Sequence, residues 1–435
     1  MHGRRHHRWI LGSLAAVLLA VTAGCTSGVA GGSTGGLAGA AGASASLGSS
    51  APATAAAGAT GSAGPPSAPP TTTSTTTAPL PPVATVSATP ALNSGDLAPA
   101  DPITIGVGQG AIDTLAMTDP DGNPVSGTLS ADRTTWASSE PLAFGTTYTV
   151  AGTATGTDGK QVAISGTYST VSPEVQVRNT IYPSDDLTVG VAAPIMVKFG
   201  VEPADMAEVA KHVTITTDPQ VEGSWAWIRH DDGLWALDYR TKDYWPAGTK
   251  VHVEAKLYGV KIADGAYGRA DVTSDFVIGR NQVVQADVNS HELVVTRDGQ
   301  VTASYPASYG RGDNTGDPNL ITRSGVHVVT DFDEIKYMSN PAYGYVNIPE
   351  HWAVRISDNG EFIHANPAST DAQGYANVTH GCVNLSMADA ESYFHSAIWG
   401  DPVEVTGTGV QLSAEDGDIY DWGLSWDQWQ ALAAG

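Results

Sequence analysis

The sequence predicts a mainly β protein: two tandem immunoglobulin-like sandwiches followed by a β-rich third domain, with a short helix after a cysteine motif. Three observations support this fold class. From about residue 90, short runs rich in Thr, Val and Tyr alternate with turn sequences such as DPDGNP and TDG. A faint repeat relates residues 136–150 to residues 235–253, a spacing typical of tandem sandwiches. After residue 279, two hairpin patterns precede one helical pattern.

The N-terminus, residues 1–25, is similar to a bacterial lipoprotein signal peptide. A basic start is followed by an apolar run over residues 9–23, which is shorter than the roughly 20 residues of a membrane-spanning helix. The sequence TAGC then ends at Cys25 as in a lipobox, although Thr22 stands where an aliphatic residue is commoner. The resemblance implies lipidation of Cys25 and a location on the outer face of the cytoplasmic membrane. A plain secreted protein and an uncleaved anchor are the alternatives.

Composition and patterning set the remaining domain limits. Residues 26–90 consist almost wholly of Gly, Ala, Ser, Thr and Pro without a charge, which predicts a disordered tether. Near-helical spacing of the tryptophans in WGLSWDQWQ predicts a C-terminal segment that packs on the domain before it. The predicted folded parts are the first sandwich (91–172), the second sandwich (173–278), the third domain (279–408) and the Trp-rich C-terminal extension (409–435).

The chain is strongly acidic. Its net charge is -24 and its isoelectric point is about 4.6. Nucleic-acid binding requires clustered Lys and Arg, and no such basic patch is visible, so the sequence predicts no nucleic-acid partner. We interpret the acidity as a means of keeping an exposed surface protein soluble.

The third domain carries clear turn and helix signals. Asp-Gly at 298–299 and Asn-Gly at 359–360 predict hairpin turns, the second of type I′. Ser386 is a suitable N-cap for a helix, and Gly400 stands just past the expected end of that helix. Cys382 would then lie on the approach to a helix N-terminus, whose positive end favours a thiolate.

Cys382 is one of only two cysteines. If Cys25 is lipidated, Cys382 has no partner within the chain, so it forms an intermolecular disulfide or is a reactive thiol. His380 lies two residues before it, and His364 ends the preceding hairpin strand. A cysteine nucleophile needs an imidazole and a group that orients the imidazole. A cysteine with two nearby histidines is equally compatible with three metal ligands.

The pattern H-x14-THGCVN, from His364 to Asn384, resembles the signature of the L,D-transpeptidase family, which has a YkuD-like catalytic domain. With its two immunoglobulin-like domains and Trp-rich end, the chain is similar to the lipid-anchored actinobacterial branch of that family. The resemblance implies an enzyme of cell-wall biogenesis that acts on peptidoglycan stem peptides without a metal or other cofactor. The cysteine would attack the carbonyl before the terminal D-Ala of a tetrapeptide, release D-Ala and form a thioester. The side-chain amine of a neighbouring stem would then form a cross-link between third-position residues.

The resemblance also implies roles for single residues. Cys382 corresponds to the nucleophile, His364 to the general base and His380 to the motif histidine. Gly381 and Cys382 correspond to a backbone oxyanion hole, and a glycine lets the chain bend closely around a carbonyl. The expected substrate-binding residues are Tyr345 in a lid, Asn359 and Gly360 at the donor's polar end, and Thr379 and Asn384, which stabilise the loop or touch substrate.

Two positions depart from the family pattern and leave donor preference open. Ala365 stands where Ser is frequent, a harmless change if the backbone carbonyl orients the imidazole. Ala368 replaces a frequent Trp, which predicts a more open pocket rim. Similarity to the family also implies acylation of Cys382 by carbapenem-type β-lactams.

Alternative functions are a carboxypeptidase or hydrolase, in which water resolves the thioester, and a non-catalytic wall-binding lipoprotein. A papain-like peptidase is disfavoured because both candidate histidines precede the cysteine. A penicillin-binding protein is disfavoured because no Lys has Ser three residues before it, so the S-x-x-K motif is missing.

Overall fold

The structure is a computed structural model that describes residues 83–413 and 421–433. The predicted signal peptide with Cys25, and most of the predicted tether, lie outside the described residues. The described chain consists largely of strands in separate sandwiches and sheets, so the mainly β fold class is confirmed. In these two ranges, no helix combines the length and the apolar character that crossing a bilayer requires.

The first sandwich has seven strands, namely β1 (Thr85–Thr89), β2 (Thr104–Gly108), β3 (Gly110–Thr118), β4 (Gly127–Leu129), β5 (Thr135–Ser138), β6 (Thr147–Gly156) and β7 (Gln161–Ser169). One sheet has the order β1-β2-β5-β4 and the other β3-β6-β7. Their facing sides bury a core that includes Ile105, Trp136 and Tyr168. Strand β1 lies within the segment predicted as tether, because its Ser, Thr and Ala content hides the alternation of a strand.

The second sandwich has its own core, which includes Phe199, Trp245 and Ile278. Its sheets have the orders β10-β18-β15-β12, β13-β14-β11-β9 and β16-β17-β8. The elements are β8 (Val175–Val177), β9 (Thr180–Tyr182), β10 (Thr188–Val189), β11 (Ile195–Phe199), α1 (Met206–Ala210), β12 (Val213–Asp218), β13 (Gly223–Arg229), β14 (Trp235–Thr241), β15 (Lys250–Ala255), β16 (Lys261–Ala263), β17 (Ala266–Gly268) and β18 (Val272–Ile278).

The third domain consists of two sheets and a helix packed against one of them. The sheets have the orders β21-β20-β19-β27-β22 and β23-β24-β25-β26. The elements are β19 (Gln282–Asp287), β20 (Glu292–Arg297), β21 (Gln300–Pro306), α2 (Gly312–Thr315), β22 (Gly325–Val328), β23 (Asp331–Asn340), β24 (Tyr345–Arg355), β25 (Phe362–Ala365), β26 (Val383–Leu385), α3 (Met387–Ser396) and β27 (Pro402–Thr406). The core between them includes Val295, Ile363 and Tyr393.

Two of the predicted local features of this domain are present. Asp298 and Gly299 both have positive φ, of 50° and 75°, as a type I′ turn between β20 and β21 requires. The α3 helix begins after Ser386, whose Oγ accepts a hydrogen bond from the N–H of Asp389 at 3.1 Å.

Two other local predictions are wrong. At the 359–360 turn only Gly360 has positive φ, so the connection is not type I′; the hydrogen bond from Ile356 N–H to Glu361 O at 3.0 Å closes a longer loop. The α3 helix ends at Ser396, well before Gly400. Gly400 instead forms a turn whose carbonyl accepts from Ala192 of the second sandwich at 2.9 Å.

The C-terminal extension packs on both neighbouring domains: the N–H of Leu412 donates to the carbonyl of Ser324 in the third domain at 2.7 Å, in line with the prediction, whereas the helix that follows packs on the second sandwich. Its helix α4 (Trp426–Ala433) buries Trp429 against Ala226 and Ile228 of β13. The indole N–H of Trp429 donates to Ser224 O at 3.0 Å. Helical spacing predicts an apolar face but does not specify the surface that receives it.

Candidate active site

A cavity of about 300 Å³ opens beside Cys382. Seven residues singled out from the sequence line it: Tyr345, His364, Ala368, Thr379, His380, Cys382 and Asn384. The fold adds Met338, Ile348, Glu350, Asn366, Ser369 and Val378. The predicted residues Asn359, Gly360 and Gly381 are not among those that line the cavity.

Two neighbouring parallel strands bring the histidine and the cysteine together. His364 on β25 is in register with Asn384 on β26, and Cys382 immediately precedes β26. Parallel neighbours lie about 4.8 Å apart, so residues at one end of the pair are close in space although a long loop joins them. Sγ of Cys382 lies 3.5 Å from the carbonyl oxygen of Gly360, at the turn that leads into β25.

Thr379 closes the loop that carries the cysteine. Its hydroxyl donates to the carbonyl of Cys382 at 2.6 Å and accepts from the N–H of Gly381 at 3.2 Å. The hydroxyl of Thr322 donates to the carbonyl of Gly381 at 2.7 Å. The expectation that the Gly381 N–H faces a substrate oxyanion is therefore corrected, because the Thr379 hydroxyl occupies it. Gly381 has φ of +122°, a conformation that L side chains rarely adopt, which explains glycine at this turn.

His364 is buried, with an exposed fraction of 3%. Its ring and the side chain of Cys382 line the same cavity. Nδ1 lies 3.0 Å from the carbonyl oxygen of Ala365 and 3.2 Å from Oε2 of Glu350. The carbonyl accepts from Nδ1 and the carboxylate pairs with the same nitrogen, so Nε2 is the nitrogen available to Cys382. The contact at position 365 is made by the backbone, so alanine there preserves it.

The surroundings of His364 favour the imidazolium. Burial alone lowers its pKa, but hydrogen bonds to Cys382 and Glu350, together with their charges, outweigh this effect and raise the pKa to about 10. The favoured resting state of His364 is therefore the imidazolium, placed between Cys382 and Glu350. In this state the histidine holds the proton that a leaving amine requires.

His380 has a different environment. Arg311 Nη2 donates to His380 Nε2 at 2.9 Å, and the rings of Tyr343 and Tyr345 lie 5.7 and 5.2 Å from the imidazole. Burial and the charge of Arg311 lower the pKa of His380. A neutral imidazole whose Nε2 accepts from arginine is not placed to act as a base for Cys382. Within the described ranges, no group of three or more His, Cys, Asp or Glu side chains could hold a metal ion.

The helix α3 does not act on the cysteine as predicted. The strand β26 separates Cys382 from Ser386, and four residues of extended chain span about 13 Å. The effect of a helix dipole is confined to its first turn. The Ser386 hydroxyl also accepts from the first turn, so this helix end is satisfied locally.

The predicted substrate-binding residues are differently placed. Tyr345 lies in the cavity, where burial and then the charges of Cys382 and Glu350 raise its pKa and keep the phenol protonated. Asn384 also lines the cavity, but its Nδ2 donates to Ser369 Oγ at 3.2 Å. Asn359 is exposed and accepts a hydrogen bond from Ser357, so only its neighbour Gly360 approaches the sulfur.

The sequence alone did not identify Glu350 or Arg311 as residues of the site. The alternation of side chains along β24 is misleading, because Tyr345 and Glu350 are five residues apart and would face opposite sides of a regular strand. A register shift opposite Met338 and Asn340 inserts one residue and turns both side chains to the cavity. Arg311 lies in GRGDN, a sequence that reads as an ordinary polar loop.

Comparisons with known proteins agree with this domain order. A model of the L,D-transpeptidase (YkuD) catalytic domain matches residues 281–405, and a model of a bacterial immunoglobulin-like domain matches residues 94–261. The chain is 48% identical to L,D-transpeptidase 5 of Mycobacterium tuberculosis over 354 residues, covering 81% of this chain and 78% of that protein. It is 34% identical to L,D-transpeptidase 2 of the same species over 338 residues, covering 76% of this chain and 80% of that protein. The solved structure of L,D-transpeptidase LdtMt1 with imipenem is 28% identical, with a TM-score of 0.44, covering 54% of this chain and 100% of that one.

Proposed function

Because the chain belongs to the L,D-transpeptidase family, we propose that it cross-links peptidoglycan stem peptides through a thioester on Cys382. One observation carries the proposal. The buried ring of His364 lines the same cavity as Cys382, the carbonyl of Ala365 lies 3.0 Å from its Nδ1, and the Glu350 carboxylate pairs with the same nitrogen at 3.2 Å. This is the arrangement that a thiol nucleophile, its base and the group that orients the base require.

In the first half-reaction the thiolate of Cys382 attacks the carbonyl before the terminal D-Ala. The C–S bond forms, the C–N bond breaks, and the imidazolium of His364 protonates the departing amine. Cys382 is partly exposed, as a nucleophile that must meet a polymer requires, whereas His364 is shielded from water. A buried imidazolium loses its proton to the leaving group more readily than to solvent.

In the second half-reaction the side-chain amine of a neighbouring stem attacks the thioester. His364, now neutral, takes a proton from this amine, and the thiolate leaves. The product is an amide between third-position residues of two stems. The apolar residues Met338, Ile348 and Val378 at the cavity wall would pack against the aliphatic part of the diamino acid.

Carbapenems are the proposed inhibitors, since their strained lactam offers the same thiolate an acyl group. Incubation of the protein with a carbapenem should add one adduct per chain, and Cys382→Ala should remove it. His364→Ala should slow acylation about 100-fold or more, the usual contribution of a general acid–base group. An adduct that persists in Cys382→Ala would contradict this assignment.

The direct test of the function is the conversion of tetrapeptide muropeptides in the presence of a chelator. The expected products are D-Ala and a cross-linked dimer, in the parent protein but not in Cys382→Ala. Activity that is lost with the chelator and restored by zinc would instead support metal ligation by the cysteine and histidines. Release of D-Ala without a dimer would indicate a carboxypeptidase.

We propose further that Cys25 is lipidated and that the chain is held at the outer face of the cytoplasmic membrane, with the segment between Cys25 and β1 reaching into the wall. The support is the sequence of the first 25 residues together with the uncharged composition of the tether. Metabolic labelling with an alkyne fatty acid should mark the parent protein and not Cys25→Ser. Equal labelling of both would contradict the anchor.

A further inference from the structure

We propose that Glu350 is the binding site for the acceptor ammonium, the cationic group that enters the cavity once the acyl-enzyme has formed. This inference rests on the proposed function and specifies the residue that selects an amine over water as the second substrate. It is carried by the composition of the cavity, the free carboxylate oxygen and the proton balance of amide formation.

Glu350 is the one carboxylate among the residues that line the cavity, and no Lys or Arg of the described chain lines it. Its Oε2 lies 3.2 Å from Nδ1 of His364. Its Oε1 has no hydrogen-bond partner among the described residues. The side chain is 15% exposed and lines the cavity, so a ligand that enters the cavity meets it.

The hairpin of β23 and β24 holds this carboxylate at the cavity wall, and the lysine opposite it is engaged by another carboxylate. Glu350 on β24 is paired with Lys336 on β23, and Met338 is paired with Ile348 next to it. Lys336, the cross-strand neighbour, donates instead to Oδ2 of Asp333 at 2.7 Å. Inside the cavity Glu350 lies next to His364 and acts on Tyr345, and no lysine or arginine of the described chain lines the wall, a setting in which a carboxylate attracts an ammonium.

The second half-reaction starts from an acceptor that carries a positive charge, and a negatively charged group can bind it. When an ammonium becomes an amide, a C–N bond forms, the C–S bond breaks and two protons leave the nitrogen. His364 takes one proton and returns to imidazolium beside the thiolate, and the other proton passes to solvent. Glu350 draws the ammonium to the thioester before this step, and the amine attacks only after its first proton has passed to solvent, because an ammonium nitrogen has no free electron pair. Water carries no charge, so the carboxylate favours aminolysis over hydrolysis.

The test is the partition of one acyl-enzyme between two nucleophiles, because this ratio does not depend on how fast the acyl-enzyme forms. The full-length protein is acylated by a tetrapeptide whose side-chain amine is acetylated, so that the tetrapeptide acts as donor only. A tripeptide with a free side-chain amine is the acceptor. The ratio of dimer to hydrolysed donor is measured for the parent, Glu350→Gln and Glu350→Asp. Hydroxylamine, which is uncharged at neutral pH, is the matched acceptor.

We expect Glu350→Gln to lower the ratio of dimer to hydrolysis about tenfold or more, the loss typical of one charge-assisted hydrogen bond. Glu350→Asp should retain part of the ratio, and the ratio with hydroxylamine should be unchanged. In the parent, the KM for the tripeptide should rise with ionic strength. If Glu350→Gln slows aminolysis and hydrolysis equally, the ratio stays unchanged. Glu350 would then act only through His364, and the proposal would be overturned. Failure of the parent to form any acyl-enzyme would instead refute the proposed function.

Discussion

His364 is a buried base whose charge depends on its two acidic neighbours. Its raised pKa of about 10 means that the imidazolium persists from low pH through neutrality and is lost as the pH rises through about 10. Carbapenem acylation should therefore fall on the alkaline side near pH 10, and Glu350→Gln should move this limb to lower pH. Rapid-mixing rates as a function of pH check this. An alkaline limb near 6.5, the value of an ordinary histidine, would contradict it.

Thr379 acts on the cysteine loop through one hydroxyl. Thr379→Val keeps the shape of the side chain but leaves the Cys382 carbonyl and the Gly381 N–H without a partner. The cost of such a buried unpaired group is about 1–3 kcal/mol, so we expect acylation to slow about tenfold or more if the loop relaxes. Thr379→Ser retains the hydroxyl and is the control. Parental acylation by Thr379→Val would show that this loop does not need the hydroxyl.

The α3 helix supports the sheet behind the site and does not act on the cysteine. Ser386→Ala removes its N-cap and should lower the free energy of unfolding of the catalytic domain by about 1 kcal/mol. The rate of carbapenem acylation should stay at the parental value, because β26 separates the helix from Cys382. Urea unfolding and acylation kinetics on the same preparation check both parts. A large fall in rate without a change in stability would restore the helix-dipole explanation.

At the scale of single elements, the sequence predicts what local residues determine. The Asp298–Gly299 turn and the start of α3 depend on neighbours within three positions, so both can be read from the chain. The face of β24 that points to the cavity depends on a register shift against β23, which alternation does not reveal. Glu350 was missed for this reason.

At the scale of the whole molecule, the C-terminal extension links the catalytic domain to the second sandwich. The guanidinium of Arg240 lies 4.5, 5.7 and 5.4 Å from the rings of Trp422, Trp426 and Trp429. Trp399 of the catalytic domain also meets Tyr182 of the sandwich, with ring centroids 4.5 Å apart. The two domains therefore meet through aromatic contacts from two separate segments.

Substitution of Trp429 tests this attachment, because its side chain is fully buried against β13. Leu432 on the same helix is 40% exposed and serves as the control. Trp429→Ala should destabilise the docked extension by about 3–5 kcal/mol, as expected for truncation of a buried tryptophan. Limited proteolysis should then cut within the extension, while Leu432→Ala resists as the parent does. Equal resistance of both variants would contradict docking on the second sandwich.

The sequence could not show where the extension docks, since its tryptophan spacing indicates only an apolar helix face. The better signal was in the receiving strand, where Ala226, Trp227 and Ile228 are consecutive buried residues. Such a run indicates a strand covered on both faces. The pairing of Cys382 with His364 was predictable from the motif, whereas Arg311 and Glu350 reach the site through contacts distant in sequence.

The central claim is that Cys382 carries the stem peptide as a thioester, and intact mass spectrometry of the protein mixed with a tetrapeptide donor tests it most directly. The account predicts a mass increase equal to the tetrapeptide minus D-Ala, located on Cys382, which disappears when an acceptor amine is added and a dimer forms. A folded protein with a free thiol that gains no mass and yields no D-Ala would contradict the account.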